Sequence, residues 1–340
     1  MRTTVCHQSR AVRFLCLLLA ALFLCAWASA PVQAELIRKP HKYVPSHQTY
    51  RKPQRISAHH RGKRQHLRPI VASNNDLRIH AKAAYLMNLS NGRVYYTQNP
   101  DDQIPPASLT KVLTLYLIRE AIARGQVRPT TPIPVSSAAV LTGGSTMSLR
   151  RDERVPLAEM IKGISIVSAN NACIAVAQYL GRGDTGRFVA QMNAKAQNLG
   201  MRRSRFKNPN GLPAPGQVTT ARDMAALSAA YIRRFPEALA IHSMTTHTHN
   251  GVTHHNANAL LGRCPGVDGL KTGFVAASGY NIIATAKRGN VRLVAVVLGA
   301  NNPFSRETQT EKLLEYGFSR AAVEGAKHPP AAKKRHSARS

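Results

Sequence analysis

With 340 residues, 44% of them hydrophobic, the chain can bury one large core or two modest ones. Lys and Arg number 47 against 16 Asp and Glu, a formal net charge of +31, which favours anionic partners without naming them. Nucleic acid is the first partner such a balance suggests, and the opening of the chain argues against it.

Arg2, Arg10 and Arg13 lead into an almost wholly apolar run from Phe14 to Ala30, followed by small residues. This is the pattern of a secretory signal peptide. A cut after Ala30 would put Pro31 beside the scissile bond, so Val32-Gln33-Ala34 before Glu35 is the better exit, and residues 1–34 are assigned to the signal. The alternative is an uncleaved anchor, for which the run is short. Either way the rest of the chain is expected outside the cytoplasm, in the periplasm or cell envelope, with no nucleic acid as partner. Removal of the signal takes Cys6, Cys16 and Cys25 and leaves Cys173 and Cys264, too few for a disulfide framework. Cys173 reads as a small buried hydrophobe.

Residues 35–74 read as a basic disordered linker: ten Lys or Arg fall between Arg38 and Arg68, with no acidic residue and no periodicity. A domain follows over 75–323. Residues 81–89 and 93–96 are β-rich and split by Ser90-Asn91-Gly92, a hairpin signal. Apolar residues at helical spacing span 108–124 and stop at Gly125. Helices are also expected over 157–180, 185–199 and 220–234, then a hairpin of 244–248 against 252–256 around Asn250-Gly251. A further hairpin, 279–286 against 291–299, turns at Arg288-Gly289-Asn290, and a helix over 308–318 closes the domain. Strands at both ends with helices between them imply one antiparallel sheet flanked by helices, an α/β fold. Residues 324–340 read as a basic disordered tail with no apolar face. Both arms are read either as clinging to an anionic envelope or as solvated tails.

Three short segments carry chemistry. In Ser108-Leu109-Thr110-Lys111 the serine opens a helix and the lysine shares its face. A serine hydroxyl is a poor nucleophile until a neighbour takes its proton, and a lysine one turn away can do so once burial lowers its pKa. In Ser168-Ala169-Asn170 two polar residues interrupt an apolar run, where they need partners or a task. Ser168 can relay a proton and Asn170 can orient Lys111; a plain turn between helices is the alternative. In Lys271-Thr272-Gly273 an ammonium and a hydroxyl on a strand suit a substrate carboxylate, and the glycine lets a peptide lie close.

In this order the three segments match a set known from penicillin-binding proteins and class A β-lactamases. The chain resembles the D-alanyl-D-alanine carboxypeptidase family, the low-molecular-mass penicillin-binding proteins, from about residue 83 to 318. Asn208-Pro209-Asn210-Gly211-Leu212-Pro213, Thr219-Thr220-Ala221-Arg222-Asp223-Met224 and Ser278-Gly279-Tyr280-Asn281 extend the likeness. The resemblance implies a β-lactamase or D,D-peptidase-like fold with a helical subdomain. It implies Ser108 as acylated nucleophile, Lys111 as base, and Ser168 with Asn170 as a second catalytic element. Lys271, Thr272 and Gly273 would bind the substrate terminus. The N–H groups of Ser108 and Phe274 would form the oxyanion hole, and Arg306 would help hold the terminal carboxylate. The implied substrate is the peptidoglycan pentapeptide, with β-lactams as covalent inhibitors, no cofactor and no metal. Asn171 stands where many members have Asp. The β-rich second domain and amphipathic anchor common in relatives are not expected.

His242, His247, His249, His254 and His255 crowd into fourteen residues. A surface zinc or copper site is conceivable, but exposed strand histidines are the preferred reading, with no Asp, Glu or Cys nearby in sequence. Two rival functions stand beside the carboxypeptidase, which itself leaves room for endopeptidase activity. A class A β-lactamase places a Glu between the second and third motifs, and here only Glu237 lies there, in the wrong context. A non-catalytic peptidoglycan-binding protein would not need the reactive groups.

Overall fold

In the computed structural model, which describes residues 77–327, apolar runs from the two ends of the domain meet in one antiparallel sheet. β1 (Ala83–Asn88) and β2 (Val94–Gln98) form the first hairpin. β8 (Gly279–Arg288) and β9 (Val291–Ala300) form another, and β7 (Val267–Val275) pairs with β8, so the order is β2-β1-β9-β8-β7. β1 joins β9, so the first and last thirds of the domain close on each other.

Both faces of this sheet are covered. On β9, Val294, Val296 and Leu298 face a helical layer, while Leu293, Ala295 and Val297 face a single long helix. Burial on both faces explains why β9 reads as an unbroken apolar run rather than an alternation. The helical layer holds α1 (Lys111–Ala123), α2 (Ser137–Val140), α3 (Leu157–Lys162), α4 (Asn170–Leu180), α5 (Thr185–Asn198), α6 (Ala221–Arg234) and α7 (Leu239–His242). The opposite face is covered by α8 (Pro303–Lys327). Two small ribbons complete the described chain: β3 (Pro132–Pro134) with β4 (Arg154–Pro156), and β5 (Thr246–His249) with β6 (Val252–His255). Three prolines in the first ribbon hide its strand signal, since proline is depleted in strands.

Two helical expectations change. The run over 157–180 is not one helix: α3 passes into a π-helical turn at Gly163–Val167, Ser168 takes a left-handed conformation (φ 64°), and α4 starts anew at Asn170. The cause lies in a loop. Asn170 N–H donates to the Ser145 carbonyl, and the Asn171 amide accepts from Met147 N–H and donates to Met147 C=O, drawing the backbone off its helical path. The closing helix is longer than 308–318. It begins with Pro303, capped by Asn302 Oδ1 accepting from Ser305 N–H at 2.7 Å. It persists to Lys327 because Glu324 accepts from Tyr95 Oη at 2.7 Å and pairs with Arg93, tying its last turns to β2. Residues 324–327, assigned to a disordered tail, are therefore helical.

Cys173 and Cys264 are both buried and unbonded, and burial pushes the Cys173 thiol up to about 11. No described helix is long and apolar enough to cross a membrane. The assigned signal, the linker and residues 328–340 lie outside the described residues.

Candidate active site

Ser108 lies in a 3-10 turn, Ala107–Thr110, that leads directly into α1. In a 3-10 turn, residues three apart eclipse one another, so Lys111 stands over Ser108 more closely than an ideal α-helix would place it. Lys111 Nζ donates to Ser108 Oγ at 2.8 Å, to Asn170 Oδ1 at 2.7 Å and to the Asn210 carbonyl at 2.6 Å. Asn170 is itself fixed, donating through Nδ2 to the Gly143 carbonyl at 2.8 Å. Burial lowers the Lys111 ammonium to about 8. A neutral amine has two N–H groups and one lone pair. Asn170 Oδ1 and Asn210 O can only accept, so they take the two N–H groups and leave the lone pair facing the Ser108 hydroxyl.

Ser168 is placed by the break between α3 and α4. Its left-handed backbone is strained for a residue with a Cβ, and its buried Oγ has no hydrogen-bond partner among the described residues. Such a group is expensive to keep buried unless something else bonds to it. The third segment lies on β7, the edge strand. Gly273 passes so close to the 3-10 turn that a Cβ there would stand 2.9 Å from the amide nitrogen of Ser108. The main chain of β7 thus runs beside the Ser108 N–H, and the next N–H along it belongs to Phe274. Lys271 Nζ is buried and donates to the Thr272 carbonyl at 2.9 Å. Burial first, and then the nearby Lys111 charge, holds its pKa well below the usual lysine value.

These groups border one cavity of about 350 Å³. Ser108, Ser168, Asn170, Thr272, Gly273, Phe274 and Arg306 all line it, and the two lysines lie buried behind its wall. Arg306, half expected on the surface, is 7% exposed; its Nη2 donates to Glu307 Oε1 at 2.8 Å, while its buried Nε has no partner among the described residues. All nine candidate residues therefore converge, from a turn, a helix break, an edge strand and the start of α8. A seryl hydroxyl with a buried amine, an unpaired hydroxyl and two main-chain N–H groups beside it is a constellation for acyl transfer.

A family model described as D-alanyl-D-alanine carboxypeptidase matches residues 70–302. The chain belongs to the D-alanyl-D-alanine carboxypeptidase family. It is 40% identical over 247 residues to the D-alanyl-D-alanine carboxypeptidase DacC of Escherichia coli (strain K12), covering 71% of this chain and 62% of that protein. Against the DacF enzyme of Bacillus subtilis (strain 168) the identity is 37% over 256 residues, covering 72% and 64%. The chain thus spans a little under two thirds of the length of each of these two relatives. Among solved structures, the carboxypeptidase DacD of Francisella tularensis superposes with a TM-score of 0.70 at 31% identity, covering 74% of this chain and 73% of that one. Penicillin-binding protein D2 of Listeria monocytogenes in its ampicillin-bound form gives 0.66 at 33% identity, covering 72% and 99%. The sheet and its flanking helices are thus the D,D-peptidase, β-lactamase-like fold of this family.

Several contributors escaped the sequence. Asn210 acts through its carbonyl, which leaves no side-chain signature, although its Asn-Pro-Asn-Gly segment resembled the family. Gly211, at φ 84°, is required there because a Cβ would fall 1.8 Å from the Ala107 carbonyl oxygen. Tyr280 lines the cavity with its ring tilted 32° against that of Phe274, centroids 4.4 Å apart. Asn171 has a reason to differ from the family's Asp: its Nδ2 donates to Met147 C=O at 2.7 Å, which a carboxylate cannot do.

The histidine reading needs correction. His242 belongs to α7, not the hairpin, and is buried; His247 is buried as well, with its pKa lowered by burial. Carboxylates do stand nearby, from distant sequence. Glu159 lies 3.8 Å from His247 Nε2 and Glu153 lies 3.2 Å from His249 Nε2. Among the described residues no group of three or more His, Cys, Asp or Glu is arranged to hold a metal.

Proposed function

We propose that the protein is an exported serine D,D-carboxypeptidase acting on the D-Ala–D-Ala terminus of peptidoglycan stem peptides. The observation that carries this reading is the Lys111 site, where two fixed acceptors leave a lone pair only for Ser108. Neutral Lys111 takes the Ser108 proton as Oγ adds to the penultimate D-Ala carbonyl carbon. The oxyanion is met by the Ser108 and Phe274 N–H groups. The C–N bond then breaks, and the departing amine takes a proton through Ser168, leaving an acyl ester on Ser108. Water cleaves that ester with Lys111 again as base. Lys271, Thr272 and Arg306 hold the terminal carboxylate, whose charge stabilises the ammonium form of Lys271 against its burial. A lowered Lys111 pKa makes about one molecule in ten competent at pH 7, against about one in three thousand for an unperturbed lysine.

The β-lactamase reading loses support because no Asp or Glu lines the cavity, and Glu237 pairs instead with Arg119 at 3.1 Å. A β-lactam's leaving amine stays tethered to the acyl group after ring opening and keeps water from reaching the ester beside Lys111. With no carboxylate to activate water by another route, the penicilloyl ester persists and β-lactams act as covalent inhibitors. Export through residues 1–34 and electrostatic retention at an anionic envelope by the basic arms, residues 35–74 and the C-terminal tail, belong to the same proposal. The test is release of D-Ala from a pentapeptide ending in D-Ala–D-Ala, with nitrocefin alongside. Stoichiometric D-Ala and slow nitrocefin turnover are expected. Fast nitrocefin turnover with no D-Ala would overturn the reading in favour of a β-lactamase.

A further inference from the structure

At Leu270 of β7, just before the residues of that strand that line the cavity, a hydrogen-bonded line of four side chains ends. Glu237 Oε1 accepts from Arg119 Nη1 at 3.1 Å, and Arg119 Nε donates to Tyr231 Oη at 3.1 Å. Tyr231 Oη lies 3.1 Å from His242 Nε2, and His242 Nδ1 lies 3.0 Å from the Leu270 carbonyl oxygen. Tyr231 and His242 are both fully buried.

Each link has one permitted direction. The Leu270 carbonyl can only accept, so the histidine proton sits on Nδ1. His242 Nε2 must then accept, so Tyr231 donates its only hydrogen there. The Tyr231 oxygen is left to accept from Arg119, which has nothing but donors. A second proton on His242 would set two donors against Tyr231 and place a cation among Arg119 and Lys271. Consistent with that, burial, Arg119 and Lys271 push His242 down to about 3.

The end of the line is informative. Along an antiparallel strand, alternate residues direct their main-chain groups to the same side. Leu270 directs its carbonyl at His242 rather than at β8, so Thr272 and Phe274 direct theirs off that same edge. This is the edge along which the cavity runs and on which the Phe274 N–H stands. Leu270 is also the residue immediately before Lys271. Main-chain placement there sets where the Lys271 stem leaves the strand.

We infer that His242 is a positioning residue, held by Tyr231 and Arg119 in one tautomer so that its Nδ1–H pins the Leu270 carbonyl and fixes the edge of β7 for acylation. The inference rests on the acyl-transfer reading above and adds to it residues that touch no substrate. The line also explains why a histidine is buried in a layer that is otherwise apolar at α7: its two nitrogens satisfy one donor and one acceptor that cannot meet directly.

The test is the second-order rate of labelling by a fluorescent penicillin, measured on the purified full chain and its variants, with thermal midpoints alongside. Asparagine places an N–H near the position of Nδ1, whereas glutamine places its polar end near Nε2. His242→Asn is expected to keep the rate within about threefold, and His242→Gln to lose about tenfold, the scale of one or two neutral hydrogen bonds. A residue that merely fills space would favour the larger glutamine, so equal rates for the two variants, or a faster Gln, would overturn the inference. Should neither variant fold, Tyr231→Phe decides: it keeps the ring and frees the tautomer. A fall of about threefold supports the line, and an unchanged rate overturns it. Wild-type protein that takes no label would overturn the acyl-transfer reading itself, and with it this inference. Labelled wild type with unresponsive variants would overturn the inference alone.

Discussion

The two faces of the central sheet obey different rules. Beneath α8, the packing is ordinary: Leu86, Ile282, Ala284, Val297, Leu313 and Leu314 are wholly buried. The charged groups around that layer are paired, Arg292 with Asp268 at 2.8 Å and Arg288 with Glu315. At the cavity end of the other face, two lysines are buried, Ser168 is held left-handed, and its hydroxyl has no partner among the described residues. One face contributes stability, and the other keeps groups in states that a stability-optimised protein would relax. The strain is tolerated because the apolar layers around it over-determine the backbone.

That contrast can be broken or sharpened by substitution. The largest effect is expected from Lys111→Ala, which removes the proposed base and the donor that Lys111 Nζ gives to Asn170 Oδ1 and the Asn210 carbonyl. Penicillin labelling should slow by about a hundredfold or more, read from gel fluorescence against time. Ser168→Gly should separate the two rules. Glycine accepts φ 64° without strain, so the thermal midpoint should rise, by the equivalent of roughly 0.5–1 kcal/mol, while D-Ala release falls at least about tenfold. A loss of both stability and activity would show that Ser168 is structural.

The pH dependence of labelling comes next. Lys111 must be neutral to act, and its folded pKa is lowered to about 8, so the rate should rise with pH and level off near that value. A flat profile between pH 6 and 9 would contradict a titrating lysine base. The sign for stability runs the same way. The unfolded chain binds this proton more tightly, so stability should increase as pH rises from about 8 towards the ordinary lysine value. On the other face, Leu86→Ala should cost about 2–5 kcal/mol in denaturant unfolding and leave the labelling rate of the folded fraction unchanged. A matching loss of rate would mean that the two faces are coupled.

How much of this was legible beforehand depended on where each signal resides. Ser108, Lys111 and the β7 triplet announce themselves through side chains at fixed spacing. The closing of the sheet was legible from strand-like runs at both ends of the domain. The break at Ser168 was half legible: a turn between helices stood as one reading of 168–170, but 157–180 has continuous helical spacing and the break is imposed by Asn170 and Asn171 bonding to residues 145–147. Asn210 was invisible because it acts through its main chain. His255 is exposed as expected, but His247 was misread as exposed, and Glu159 and Glu153, which face His247 and His249, lie about ninety residues upstream. Tertiary partners override local pattern wherever a polar side chain finds a distant acceptor.

The central claim is that Ser108 becomes acylated because Lys111, Ser168 and the β7 edge meet around it. The most direct measurement is mass spectrometry of the penicillin-treated protein and of its proteolytic fragments. One penicilloyl adduct per chain is expected, on the fragment containing Ser108, and none on Ser108→Ala. An adduct on any other residue, or no adduct on folded wild-type protein, would contradict the account.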